Sequence, residues 1–186
     1  MAVYASNISA LTIDQHVMSD ESESFHFSSI GPYLAAFVNL QVLTLDDIRL
    51  TSNDTAGWPK PSFRLTELTL AVNCRASPGT ISTADSDWLI GSSRQSLEHL
   101  TLGDYNRDLV VNIIDTSYNL RSLCFRVDVE ATELDAGMMT KMATRAQPVQ
   151  LDLIVDQAKR DVALGWMAMG AQVNQRVDAA LSVFVS

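Results

Sequence analysis

Apolar residues return along this chain in a single spacing, L-x-x-L-x-L. Six segments share one register: Ile8-x-x-Leu11-x-Ile13, Leu40-x-x-Leu43-x-Leu45, Leu65-x-x-Leu68-x-Leu70, Leu97-x-x-Leu100-x-Leu102, Leu120-x-x-Leu123-x-Phe125 and Pro148-x-x-Leu151-x-Leu153. Their central residues, at 11, 43, 68, 100, 123 and 151, stand 23 to 32 residues apart. The last two apolar positions of each segment are two apart. On a strand they face one side, and the residue between them faces the other. The first position, three before the middle one, sits at the turn into the strand and tucks under the same core. One such strand cannot bury its apolar face alone, but stacking on the next unit does so. Strands repeated in one sense, with a crossover after each, predict a parallel sheet.

The intervening segments supply the crossovers. Ser29–Asn39 carries Ile30, Tyr33, Leu34, Phe37 and Val38 at helical spacing, with Pro32 in the first turn. Asp85–Ser93 reads as a short helix capped by Ser86 or Asp87. Asn106–Ser117 presents Leu109, Val110, Ile113 and Ile114 as one stripe, and Thr132–Arg145 presents Leu134, Met138, Met139 and Met142. Leu50–Ser62 and Arg75–Thr83 hold Gly and Pro and read as irregular loops. After Val155 the pattern changes. Asp156–Ser186 has no Pro, and Val162, Trp166, Met169, Val173, Val177, Leu181 and Phe184 recur at three- and four-residue steps. That predicts a helical cap over the last unit, with Gly165 and Gly170 weakening it.

The same register places Thr12, Thr44, Thr69, Thr101, Cys124 and Asp152 between the paired strand apolars. These side chains are expected to form a column on the opposite, exposed face, with strands about 4.8 Å apart. One column earlier stand Ala10, Val42, Glu67, His99, Ser122 and Gln150; one later stand Asp14, Asp46, Ala71, Gly103, Arg126 and Ile154. Threonine is also simply a good exposed strand residue. The functional alternative is a shallow, polar, partly acidic binding surface made of Thr12, Thr44, Glu67, Thr69, His99, Thr101, Cys124 and Arg126.

Charge narrows the partners. The 186 residues carry a formal net charge of −9. Such a surface repels phosphate backbones and anionic headgroups, so no nucleic acid and no membrane is expected. The N-terminus lacks the basic and apolar regions of a signal peptide, and no apolar run reaches the roughly 18 residues of a membrane span. A cytoplasmic or nuclear location is therefore expected. Cys74 and Cys124 are too few for a disulfide framework. His16 and His26 flank an acidic, serine-rich run, but their spacing fits no metal site, and Ser19, Ser22 and Ser24 are candidates for phosphorylation. No nucleotide-binding, hydrolase or metalloprotease signature is present, so no catalytic residue and no cofactor is expected.

The segment Phe37–Leu45, the run Phe63–Leu70, and Ser96–Leu102 resemble units of the leucine-rich region in F-box/leucine-rich-repeat proteins of mushroom-forming (basidiomycete) fungi. The resemblance covers roughly residues 8–155. It implies an α/β leucine-rich-repeat solenoid over residues 1–155: about six short parallel strands on the concave face, helices and loops on the convex face, and the cap at 156–186. It also implies a non-enzymatic interaction module, the substrate-recognition part of a ubiquitin-ligase receptor, which binds another protein through the concave sheet. No F-box-like segment stands ahead of Ile8, so docking of a ligase adaptor is not expected. The alternative is a truncated or degenerate remnant of such a receptor with no binding of its own.

Overall fold

The computed structural model describes residues 5–14, 26–46, 48, 55, 57–71, 83–103, 107–127, 140–142, 144–155 and 181–185. Among these are seven strands: β1 (Ala10–Asp14), β2 (Val42–Asp46), β3 (Glu67–Ala71), β4 (His99–Leu102), β5 (Ser122–Val127), β6 (Gln150–Val155) and β7 (Leu181–Val185). They form one sheet in chain order, and every neighbouring pair is parallel. Among the described residues three helices of eight residues or more lie in the crossovers: α1 (Phe27–Leu34) after β1, α2 (Thr83–Ile90) after β3, and α3 (Arg107–Thr116) after β4. The chain is thus α/β with an all-parallel sheet.

The register is the one the leucine spacing predicts. Leu11, Leu43, Leu68, Leu100, Leu123 and Leu151 are successive partners across six strands. Ile13, Leu45, Leu70, Leu102, Phe125 and Leu153 form the parallel row two residues on. From β2 to β6 these inward side chains are no more than 3% exposed. They share one core with Leu34, Leu89, Val110 and Ile113 of the three helices. Burying such a side chain contributes roughly 1.5–3 kcal/mol, so two rows of them form the main stabilising element. On β1, Leu11 and Ile13 are only half-buried, because the sheet ends there.

The first leucine of each unit does a separate job. Leu40, Leu65, Leu97 and Leu120 are fully buried. Just after each, the chain joins the sheet by a repeated backbone device in which two successive N–H groups donate to one carbonyl of the previous unit. Gln41 and Val42 donate to Ser9, Thr66 and Glu67 to Gln41, Glu98 and His99 to Thr66, and Arg121 and Ser122 to Glu98. The N–H of Gln150 continues the series to the carbonyl of Arg121.

Many parallel repeat arrays bond neighbouring turns through an asparagine after the strand, and the sequence offers only Asn73 there, which lies outside the described residues. Here the amides act before the strand. Asn39 Nδ2 donates to the carbonyl of Ser6 at 2.6 Å, and Asn119 Nδ2 donates to that of Gln95. Each asparagine directly precedes the first leucine of its unit, and each acceptor lies two residues before the first apolar residue of the preceding unit. At the same position Ser96 Oγ donates to the carbonyl of Leu65 at 2.8 Å. Its neighbours complete the stitching. The N–H of Leu65 donates to buried Ser93 Oγ at 2.8 Å, and Ser92 Oγ donates to the carbonyl of Phe63 at 2.9 Å.

Several boundaries differ from the sequence expectation. Helix α1 begins at Phe27 rather than Ser29, so Pro32 lies inside it, beyond the first turn. Proline removes one helix hydrogen bond there. Helix α2 begins at Thr83, so Ser86 and Asp87 are helical residues rather than caps, and Asp85 supplies the acidic group of the first turn. In the sixth unit Pro148 is exposed and Val149 takes the buried place. The expected cap at 156–186 is corrected at its end: Leu181–Val185 is a seventh strand paired with β6. Residues 156–180 lie outside the described residues. The three- and four-residue periodicity ran through LSVFV without break, but Val183, Phe184 and Val185 are β-branched or aromatic and favour a strand once a sheet edge is available.

Aromatic rings fill the space under α1 and α2. Trp58 and Trp88 stand 5.5 Å apart edge to face, with Phe27 at 5.5 and 5.9 Å from them and Phe63 at 6.4 Å from Trp88. The Trp58 ring lies so close to Gly31 that a Cβ added there would come within 2.1 Å of it. The long β2–β3 connection is therefore anchored by Trp58, though it carries no helix among the described residues.

Past α3, Arg145 closes the helix end. Its guanidinium donates to the carbonyls of Ile114, Ser117 (2.5 Å) and Tyr118 (3.1 Å). These include the carbonyls a helix C-terminus leaves without intrahelical partners, and a cation there also suits the helix dipole. Partial burial lowers the Arg145 pKa, while the nearby Asp115 carboxylate opposes that shift. Lys141, in the helical stretch 140–142, pairs with Asp115.

Candidate functional site

The strands put the expected column on the outward face. Thr12, Thr44, Thr69, Thr101, Cys124, Asp152 and Ser182 are successive partners across all seven strands. Thr12 is exposed, and Thr44, Thr69, Thr101, Cys124 and Asp152 are half-buried, as expected for short side chains flanked by neighbouring strands. None of the described helices covers them, because the helices pack on the leucine side.

Two further columns flank the first. Val42, Glu67, His99, Ser122 and Gln150 run two residues before it, and Glu67 and His99 are exposed. Asp14 and Asp46 stand side by side two residues after it on β1 and β2, and Arg126 occupies the corresponding place on β5. Gly103 falls just past the end of β4. All eight residues singled out from the sequence therefore sit on strands at outward register positions of one sheet: Thr12, Thr44, Glu67, Thr69, His99, Thr101, Cys124 and Arg126.

Glu67, His99 and Ser122 are neighbours in one row, yet no hydrogen bond joins them. A nucleophile, base and orienting group need such contacts to act together. The described residues contain no group of three or more His, Cys, Asp and Glu side chains able to hold a metal ion. The face instead offers hydroxyls at regular spacing, with carboxylates on both sides. Gln150 Nε2 donates to both Asp152 carboxylate oxygens at 3.1 Å, which fixes that carboxylate on β6.

Cys124 is a free, half-buried thiol in this column. Burial pushes its pKa up, and the neighbouring Asp152 carboxylate pushes it the same way. Both effects disfavour the thiolate, the form that reacts. The folded thiol thus keeps its proton to higher pH than the unfolded one. Its contribution to stability is whole below the unfolded pKa and is lost as pH rises through the folded pKa, where the fold must hold a thiolate beside Asp152. In a Cys74→Ser background, the urea midpoint is expected to fall between about pH 8 and pH 10, and Cys124→Ser should flatten that decline. An equal slope in the two proteins would show that Cys124 is not its source.

Among the described residues no helix is long and apolar enough to cross a membrane. No family model, no curated protein and no solved structure matches this chain.

Proposed function

We propose that this protein is a non-enzymatic interaction module that binds another protein through the outward face of its parallel sheet. In this reading the chain is an irregular leucine-rich-repeat solenoid, and the outward face is its concave side. The observation that carries the proposal is the aligned column of Thr12, Thr44, Thr69 and Thr101 on a face left uncovered by the described helices. All-parallel sheets occur almost only with both faces covered, so one whose open face is polar is suited to reversible contact with a partner. Repeat architectures present this kind of extended surface for binding. The sequence resemblance to F-box/leucine-rich-repeat proteins extends the proposal to the substrate-recognition part of a ubiquitin-ligase receptor acting in the cytoplasm or nucleus.

The test is a comparison of wild type with the double variant Thr69→Arg, Thr101→Arg as bait, after circular dichroism shows that both are folded. Two arginines project from adjacent rungs in the middle of the face. Proteins captured by wild type are expected to be lost from the variant, read by quantitative mass spectrometry. Equal recovery on both baits would rule the sheet face out as the binding surface.

A further inference from the structure

The outward face also shows what kind of partner it fits, an inference that rests on reading that face as the binding surface. Four basic side chains elsewhere are already engaged. Arg94 pairs with Asp87 at 3.0 Å, Lys141 with Asp115, and Arg121 with Glu98 at 3.5 Å, while Arg145 is held by backbone carbonyls. Asp46, Glu67 and Asp152 have no ion-pair partner among the described residues, and Asp14 lies beside Asp46 in the register. At outward strand positions the only basic residues among those described are His99 and Arg126. The face is therefore acidic beyond its share, on a chain whose net charge is already −9.

The placement of these carboxylates has a direction. Asp14 and Asp46 lie two residues after the threonine column, and Glu67 lies two residues before it. At about 3.3 Å per residue each row is roughly 7 Å from the hydroxyls, within reach of a lysine or arginine side chain. A segment laid across the strands along Thr44, Thr69 and Thr101 would have hydroxyls under its backbone and carboxylates on either flank. A segment with acidic side chains would meet like charge on both flanks, which costs affinity and slows encounter.

We propose that the outward face docks an extended, basic segment of a partner protein, with its backbone along the threonine column and its Lys or Arg side chains directed to Asp46 and Glu67. The experiment uses a fluorescein-labelled peptide of alternating Lys and Ser, with a Glu–Ser peptide as counterpart, titrated by anisotropy against the full chain. Wild type is expected to bind the Lys–Ser peptide and not the Glu–Ser one, and to bind it less tightly as salt rises from about 50 to 200 mM. Asp46→Lys with Glu67→Lys should weaken binding at least about tenfold. The milder pair Asp46→Asn with Glu67→Gln should weaken it in the same direction, and serves if charge reversal prevents folding. Asp87→Lys with Asp108→Lys makes the same change in net charge on the helix side and should leave binding within about twofold. Equal losses in the face and helix-side variants would mean attraction to net charge alone and would overturn the proposal. So would failure of wild type to bind the Lys–Ser peptide. A chain that fails here yet still loses its captured protein on Thr69→Arg, Thr101→Arg keeps its binding face and loses only the basic partner.

Discussion

Trp88→Ala is expected to lower the unfolding free energy by about 3–5 kcal/mol, the range for removing a large aromatic side chain from a packed core. The indole touches Phe27, Trp58 and Phe63 at once, and it is 9% exposed. Its loss would leave a hole between α1, α2 and the anchor of the β2–β3 connection. The neighbours have little freedom to close that hole, because the Trp58 ring is already pressed against Gly31. Trp88→Phe should cost much less, about 1 kcal/mol, since it keeps an aromatic ring and removes a buried Nε1 that has no hydrogen-bond acceptor among the described residues. Tyr118→Ala, at a residue 71% exposed, should change stability by no more than about 0.5 kcal/mol. Urea denaturation of the three variants checks the ordering. A Trp88→Ala loss no larger than that of Tyr118→Ala would mean that the aromatic cluster does not hold this part of the core.

Arg145→Ala is expected to cost about 2 kcal/mol. A hydrogen bond with a charged donor contributes about 1.5–3 kcal/mol, and three of them converge here, but partial exposure of the guanidinium reduces the total. The loss would be felt beyond one side chain. The carbonyls of Ile114, Ser117 and Tyr118 lie where α3 ends and the chain turns towards Leu120 and β5. Arg145→Lys should recover only part of the loss, because an ammonium lacks the planar fork that reaches several carbonyls together. Thermal unfolding of the three proteins, with hydrogen exchange at the end of α3, measures both effects. Unchanged exchange at residues 117–120 in Arg145→Ala would show that the clamp is not what holds that turn.

The sheet was legible in the sequence because the spacing inside each unit is strict, although the units differ in length. A leucine row must be kept on one face by every strand, and a slip of one residue would turn the whole row outward, so the spacing records the register residue by residue. Helix α3 was legible for a related reason, since Leu109, Val110, Ile113 and Ile114 make one stripe and all four are buried. The starts of α1 and α2 were not. Their apolar content fixed where the helices pack, while their first turns are set by contacts with other units, as Phe27 shows in meeting Trp58 and Trp88. The bonds between turns were missed because they were sought at the wrong end of the strand. The signal was present, however, in the repeated Asn-Leu-x-x-Leu at Asn39 and Asn119. Arg145 left no local signal: it acts on carbonyls 27 to 31 residues earlier in the chain. Of the outward face, the sequence could order the residues but not weigh them. What it could not show is that Asp46, Glu67 and Asp152 have no ion-pair partner among the described residues.

The joining device at the head of each strand has a bearing on how such a chain can change length. From β2 to β5 each new rung takes two amide hydrogens, one carbonyl from the rung before it and one leucine. Residues gained or lost in a crossover leave that handshake untouched, which is why units of 23 to 32 residues lie in one continuous register. Duplication of a whole unit would likewise require no rewiring of its neighbours. The spacing of the rungs is held constant, and the lengths between them are free to drift.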